Sequence, residues 1–94
     1  MKKKMKTIWK FKLDVVDEQT IEVPKGAVPL CVQIQKCFNI PFIWVLVNPA
    51  ETEKENIEII TKGTGHVFDD ERCKYIGTYQ TLNGNLIFHV FKKE

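Results

Sequence analysis

Ninety-four residues at 44% apolar and 28% charged composition describe one globular domain and exclude a disordered or low-complexity chain. No run approaches the roughly eighteen apolar residues of a membrane-spanning helix, and the charges at Lys10, Lys12 and Asp14 deny the basic Met1–Lys6 start the apolar stretch of a secretory signal. The net charge is +2, yet six of the fourteen basic residues fall in the first twelve positions, and the stretch from Leu13 onward carries eight basic against twelve acidic residues, hence −4. Residues 1–6 therefore read as a flexible basic N-terminal arm, and residues 7–94 as a single β domain.

Trp9, Phe11, Leu13 and Val15 alternate with Lys10, Lys12 and Asp14, the period-2 pattern of a half-buried strand. Asp17 to Gln19 turns the chain. Thr20 to Val23 forms a second strand that Pro24 stops, and Lys25-Gly26 makes a turn. Leu30, Val32 and Ile34 alternate with Cys31, Gln33 and Gln35 in a third. The run Phe42 to Val47 is apolar on both faces, which predicts a central strand covered on both sides. Asn48-Pro49 breaks it, and the charged Ala50–Asn56 loop admits one short helical turn after Pro49.

Ile57 to Lys62 is the fifth strand. Gly63 to Lys74 is irregular, with room for a turn of helix at Asp69–Cys73. Tyr75–Thr81 and Leu86–Phe91 flank Asn83-Gly84, a hairpin signal, because both residues accept positive φ. The expected fold class is mainly β: about seven short, mostly antiparallel strands in a small sandwich or partly open barrel. A core this small is marginally stable, so a homo-oligomer is a natural arrangement.

Reactive residue types are densest at Gly63-Thr64-Gly65-His66, followed by Asp69, Asp70 and Glu71. Two glycines leave backbone N–H groups open to an anion. Thr64 offers a hydroxyl, and His66 can serve as acid, base or ligand. The stretch matches neither the phosphate-binding P-loop nor the dinucleotide fingerprint. The competing reading is a glycine bend at a strand exit with a capping carboxylate.

His89 shares a face with Ile87 and Phe91 and reads first as a hydrogen-bonded structural histidine. Tyr75, Gly77 and Tyr79, counted by twos, line one face, with Gly77 leaving a gap between two rings that suits a flat base or a neighbouring side chain. The chain has no serine, so a serine nucleophile is excluded. Its three cysteines (Cys31, Cys37, Cys73) form no C-x-x-C and read as reduced, partly buried thiols. No metal, cofactor or catalytic residue is assigned.

Ile8-Trp9-Lys10-Phe11, Pro24-Lys25-Gly26-Ala27, Val32-Gln33-Ile34-Gln35, Gly63-Thr64-Gly65-His66, Tyr75-Ile76-Gly77-Thr78-Tyr79-Gln80 and Phe88-His89-Val90-Phe91 follow one another in an order that resembles a family of small proteins of bacteriophages and prophage-bearing bacterial genomes. The resemblance runs from about Thr7 to Phe91. Asn48 and Val67 depart from it, standing where the family pattern has Asp and Pro. It carries no catalytic residue over. It implies an accessory protein acting in the bacterial cytoplasm.

The expected function is thus non-enzymatic binding of a host component: inhibiting a host immune protein, or sequestering an immune signalling nucleotide. For the nucleotide, Gly63, Thr64, Gly65 and His66 would hold phosphate, and Tyr75 or Tyr79 the base. The alternative is a small phosphoesterase or hydrolase using His66 with Asp69 or Asp70. A nucleic-acid-binding module using the basic arm ranks lower, because the basic residues are confined to the termini rather than interleaved with aromatics.

Overall fold

Alternating apolar and polar residues carry seven segments into the extended conformation, where successive side chains point to opposite faces. The computed structural model describes residues 5–35, 39–81 and 84–94. Its strands are β1 (Thr7–Lys12), β2 (Glu18–Pro24), β3 (Val28–Gln35), β4 (Ile40–Val47), β5 (Lys54–Gly63), β6 (Cys73–Thr81) and β7 (Leu86–Lys93). All pairings are antiparallel, in two sheets: a three-stranded sheet A, ordered β1-β4-β3, and a four-stranded sheet B, ordered β2-β5-β7-β6. The result is an open sandwich and not a closed barrel. Among the described residues no helix forms, so the positions where a helical turn was admitted are plain turns.

The core lies between the sheets. Ile43, Val45 and Val47 of β4 and Val32 of β3 meet Val23 and Ile21 of β2, Ile57 and Ile59 of β5, Val90 of β7 and Tyr79 of β6. Leu13 joins them just past β1, where its N–H donates to the Pro41 carbonyl at 2.9 Å. Each fully buried Val, Ile or Leu contributes about 1.5–3 kcal/mol.

The first strand is shorter than its alternation predicts, because the chain bends after Leu13. The Gln19 amide clamps Asp14 there, accepting from its N–H at 3.0 Å and donating to its carbonyl at 2.7 Å. Val15 and Val16 are left exposed in the bend. The β6–β7 hairpin forms as expected, with Gly84 at φ 86°. Asn83 and Cys37 lie outside the described residues, as do the first four positions of the basic arm.

Two expectations are corrected. The apolar run of β4 is not covered on both sides: Pro41, Ile43, Val45 and Val47 are buried, whereas Ile40, Phe42, Trp44 and Leu46 are half-buried on the outer face of sheet A. The second correction concerns β6. Its register against β7 shifts between Tyr75 and Gly77, so one extra residue, Ile76, enters the strand. Tyr75 pairs with Phe91 on the outer face, while Gly77 and Tyr79 pair with Val90 and Phe88 on the core side. The gap at Gly77 is filled from β3 of the other sheet. A Cβ built on Gly77 would sit 3.2 Å from the Val32 backbone nitrogen and 3.3 Å from Val32 Cγ2. The two sheets make their closest backbone approach here, along β3 and β6.

Gly77→Val forces this seam apart, and an overpacked core contact of that kind costs about 1–3 kcal/mol. Urea denaturation should show a lowered midpoint, with Gly77→Ala falling between the variant and the wild type. Tyr79 offers a second test. It is 4% exposed, and its hydroxyl finds no hydrogen-bond partner among the described residues. Burial raises its pKa above the ordinary 10.0. Folding therefore loses stability as the pH rises past about 10, where the unfolded chain ionises first. Tyr79→Phe should flatten the alkaline limb of a stability–pH profile and leave neutral-pH stability equal or higher.

Candidate functional site

The outer face of sheet B is ordered by register. Lys62 of β5, His89 of β7 and Thr78 of β6 are cross-strand partners in one row. One step along, Ile60, Phe91 and Tyr75 form the next row. A polar row with a lysine at one end thus borders an apolar row with a tyrosine at the other. Phe68, from the loop after β5, packs its ring against Phe91 with centroids 5.1 Å apart, and Tyr75 meets Phe91 edge-on at 5.6 Å. Lys62 Nζ lies 6.0 Å from the Phe68 ring centroid.

His89 connects these rows to the glycine turn. Its Nε2 is 2.7 Å from Thr64 Oγ1, and its Nδ1 is 2.9 Å from Thr78 Oγ1. Thr78 Oγ1 is in turn hydrogen-bonded to the Tyr75 hydroxyl. A neutral imidazole donates from one nitrogen and accepts at the other. The line Thr64–His89–Thr78–Tyr75 is therefore directional, and it reverses if the tautomer changes. Every member both donates and accepts, so the line can rearrange its hydrogens to suit either kind of ligand atom.

The Gly63–His66 stretch is a tight turn closed by the His66 N–H donating to the Gly63 carbonyl at 3.1 Å. Gly65 holds the third position at φ 88°, a conformation that only glycine adopts freely. Gly63 serves another purpose. A Cβ there would lie 3.0 Å from the His66 ring, so the missing side chain is what seats the imidazole. By strand alternation that side of Gly63 is the one shared with Ile59 and Thr61, opposite the face bearing His89. The two histidines consequently do not converge.

Of the six residues expected at a ligand site, Thr64 and Tyr75 lie on one face and are linked through His89 and Thr78. Gly63 and Gly65 shape the turn that presents Thr64. His66 lies on the far side, and Tyr79 is buried in the core, so the stacking gap between Tyr75 and Tyr79 does not form. Lys62, Thr78 and Phe91 were missed by sequence reasoning, and His89 was read as structural. Their common signal is cross-strand register, which becomes visible once β5, β7 and β6 are known to be neighbours.

The carboxylates of the hydrolytic alternative make other contacts. Asp69 Oδ1 accepts from the Glu71 N–H at 2.9 Å, and the Asp70 carbonyl accepts from Cys73 N–H at 2.9 Å. Neither carboxylate forms an ion pair with His66; the pairs among the described residues are Lys25–Glu53 and Lys93–Glu58. No group of three His, Cys, Asp or Glu side chains is placed to hold a metal among the described residues.

His89→Ala should remove the partner of two threonine hydroxyls and cost about 1–3 kcal/mol, at roughly 0.5–1.5 per bond. His66→Ala, at an exposed position, should cost less than about 0.5 kcal/mol. Chemical denaturation of the two variants side by side checks the contrast.

No curated protein and no solved structure matches this chain. One family model does, over residues 5–94, and it is described as a domain of unknown function, DUF7352. With that match extending over all but the first four positions, the chain belongs to the DUF7352 family.

Proposed function

We propose that this chain is a non-enzymatic binding protein, and that the outer face of sheet B holds a small anionic ligand with a flat ring, of nucleotide type. The observation that carries the reading is the pair of rows described above. The polar row of Lys62, His89 and Thr78, extended by Thr64, offers a cation and re-orientable hydroxyls to a phosphate. The Tyr75–Phe91–Phe68 cluster beside it offers a ring edge and a stacking surface. Tyr75 is 57% exposed, so its ring is accessible without rearrangement. The recess beside Phe68 is of mixed charge, with Lys62 and Lys93 set against Glu18, Asp69 and Glu71.

In the bacteriophage setting that the motif resemblance implies, the purpose of such binding is to sequester an immune signalling nucleotide in the bacterial cytoplasm. A host protein inhibited by direct contact is the second form of the same binding role. Catalysis has less support, because no hydrogen bond or ion pair joins His66 to Asp69 or Asp70 among the described residues.

The test is to purify the protein from infected, defence-activated bacterial cells, denature it and examine the released small molecules by mass spectrometry. A nucleotide-like compound retained by wild type and lost in Lys62→Ala, His89→Ala and Tyr75→Ala is the expected result. A ligand-free protein whose melting temperature is unmoved by a panel of mono-, di- and cyclic nucleotides overturns the small-ligand form.

A further inference from the structure

The basic residues of this chain are crowded at its N-terminus in sequence, but they are not isolated in space. Strand β1 pairs with β4 so that Lys10 lies opposite Trp44 and Lys12 opposite Phe42. These four side chains share the outer face of sheet A, the face left uncovered when β4 buries its other side. Across β4, Cys31 pairs with Trp44 and Gln33 with Phe42, so two aromatics run along the middle strand between a lysine edge and an amide edge. Lys6, one step before β1, continues the same parity.

We propose that this face binds single-stranded nucleic acid, with bases on Phe42 and Trp44 and phosphates along Lys10, Lys12 and Lys6. Charge decides the occupant. The outward positions of β1, β4 and β3 carry no carboxylate, whereas residues from Leu13 onward hold all twelve acidic groups of the chain. A polyanion is drawn to a face whose lysines have no carboxylate partner among the described residues. A second copy related by two-fold symmetry would bring together two sets of lysines on this face with nothing to neutralise them.

The local geometry suits a single strand. Lys10 Nζ sits 4.6 Å over the Phe42 ring centroid and 2.9 Å from Gln35 Oε1. The ammonium group thus caps the Phe42 ring, and a base that stacks there takes its place and leaves it free to meet a phosphate. The Phe42 and Trp44 rings are 6.3 Å apart and edge-on, giving two separate stacking surfaces and not one continuous slab. Splayed bases of a single strand can use such surfaces, while a duplex keeps its bases stacked inside. The Gln33 and Gln35 amides supply donors and acceptors at the β3 rim. This face is distinct from the nucleotide-type site on sheet B, and neither reading depends on the other.

Fluorescence anisotropy with labelled fifteen-nucleotide dT and U strands, and with a fifteen-base-pair duplex, tests the proposal on the full chain. Single strands should bind at least about tenfold tighter than duplex. The slope of log affinity against log salt should be about −2, from three phosphate contacts at roughly 0.7 each. Lys10→Glu with Lys12→Glu should weaken binding more than about tenfold while leaving the melting temperature in place. In a Trp9→Phe background Trp44 is the sole tryptophan, and its emission should be quenched by the oligonucleotide. No binding at 25 mM salt overturns the proposal, as does duplex binding equal to that of single strands. Binding that survives the double charge reversal but disappears when residues 1–5 are deleted assigns the affinity to the arm alone and likewise overturns it. So does a dimer that dissociates on Trp44→Glu, since a second copy then covers the face.

Discussion

The seam between β3 and β6 is the contact on which the rest of the molecule depends. Two sheets packed face to face usually stand about 10 Å apart, yet here the backbone of Val32 comes close enough that Gly77 has no room for a Cβ. This approach closes one long side of the sandwich and leaves the other open. It also requires the bulge at Ile76, because β6 must turn Gly77 inward while continuing its pairing with β7. Once Gly77 is fixed inward, Tyr79 follows it into the core, and Tyr75, on the other side of the bulge, projects outward next to Thr78. A packing constraint in the interior thereby aligns the hydrogen-bonded line on the outer surface.

The two outer faces of the sandwich carry different chemistry for a related reason. Sheet B places a lysine, a histidine and a threonine in one cross-strand row and aromatics in the next, with acidic groups on β2 and in the loop after β5. Sheet A has aromatics along its central strand, lysines on one edge strand and glutamines on the other. Both faces pair rings with polar or cationic groups, the combination that recognises phosphorylated aromatic compounds. They differ in extent. The sheet B arrangement converges on His89, whereas the sheet A arrangement is a stripe along a strand.

Much of the fold was legible because period-2 alternation and turn residues are local signals. All seven strands and the β6–β7 hairpin follow from them, as do the two-faced apolar character of β4 and the glycine bend at Gly63–His66. Strand neighbours were not legible. That Lys10 lies beside Trp44, thirty-four positions away, depends on β1 crossing to pair with β4, and no local pattern encodes that choice. The bulge at Ile76 was equally invisible, since counting by twos from Tyr75 places Tyr79 on the same face and one inserted residue reverses the answer. Apolar residues on both faces of β4 gave a misleading inference for a simpler reason. Such a run shows that a strand is apolar, not that something within the same chain covers it.

The open side of the sandwich leaves β1 and β2 as free edges, while β3 and β6 shield one another at the seam. The free edges carry opposite charge: Lys10 and Lys12 on β1, Glu18 and Glu22 on β2. A molecule with one basic and one acidic edge has a polarity across its width, and unlike edges of neighbouring molecules attract. Head-to-tail addition of this kind does not close on itself, so it would extend sheets into filaments. Two local features oppose it. Pro24 has no N–H to offer at the end of β2, and the Gln19 clamp on Asp14 turns the chain away directly after β1. The short first strand that the clamp enforces therefore also limits how far a neighbouring strand can pair along the β1 edge.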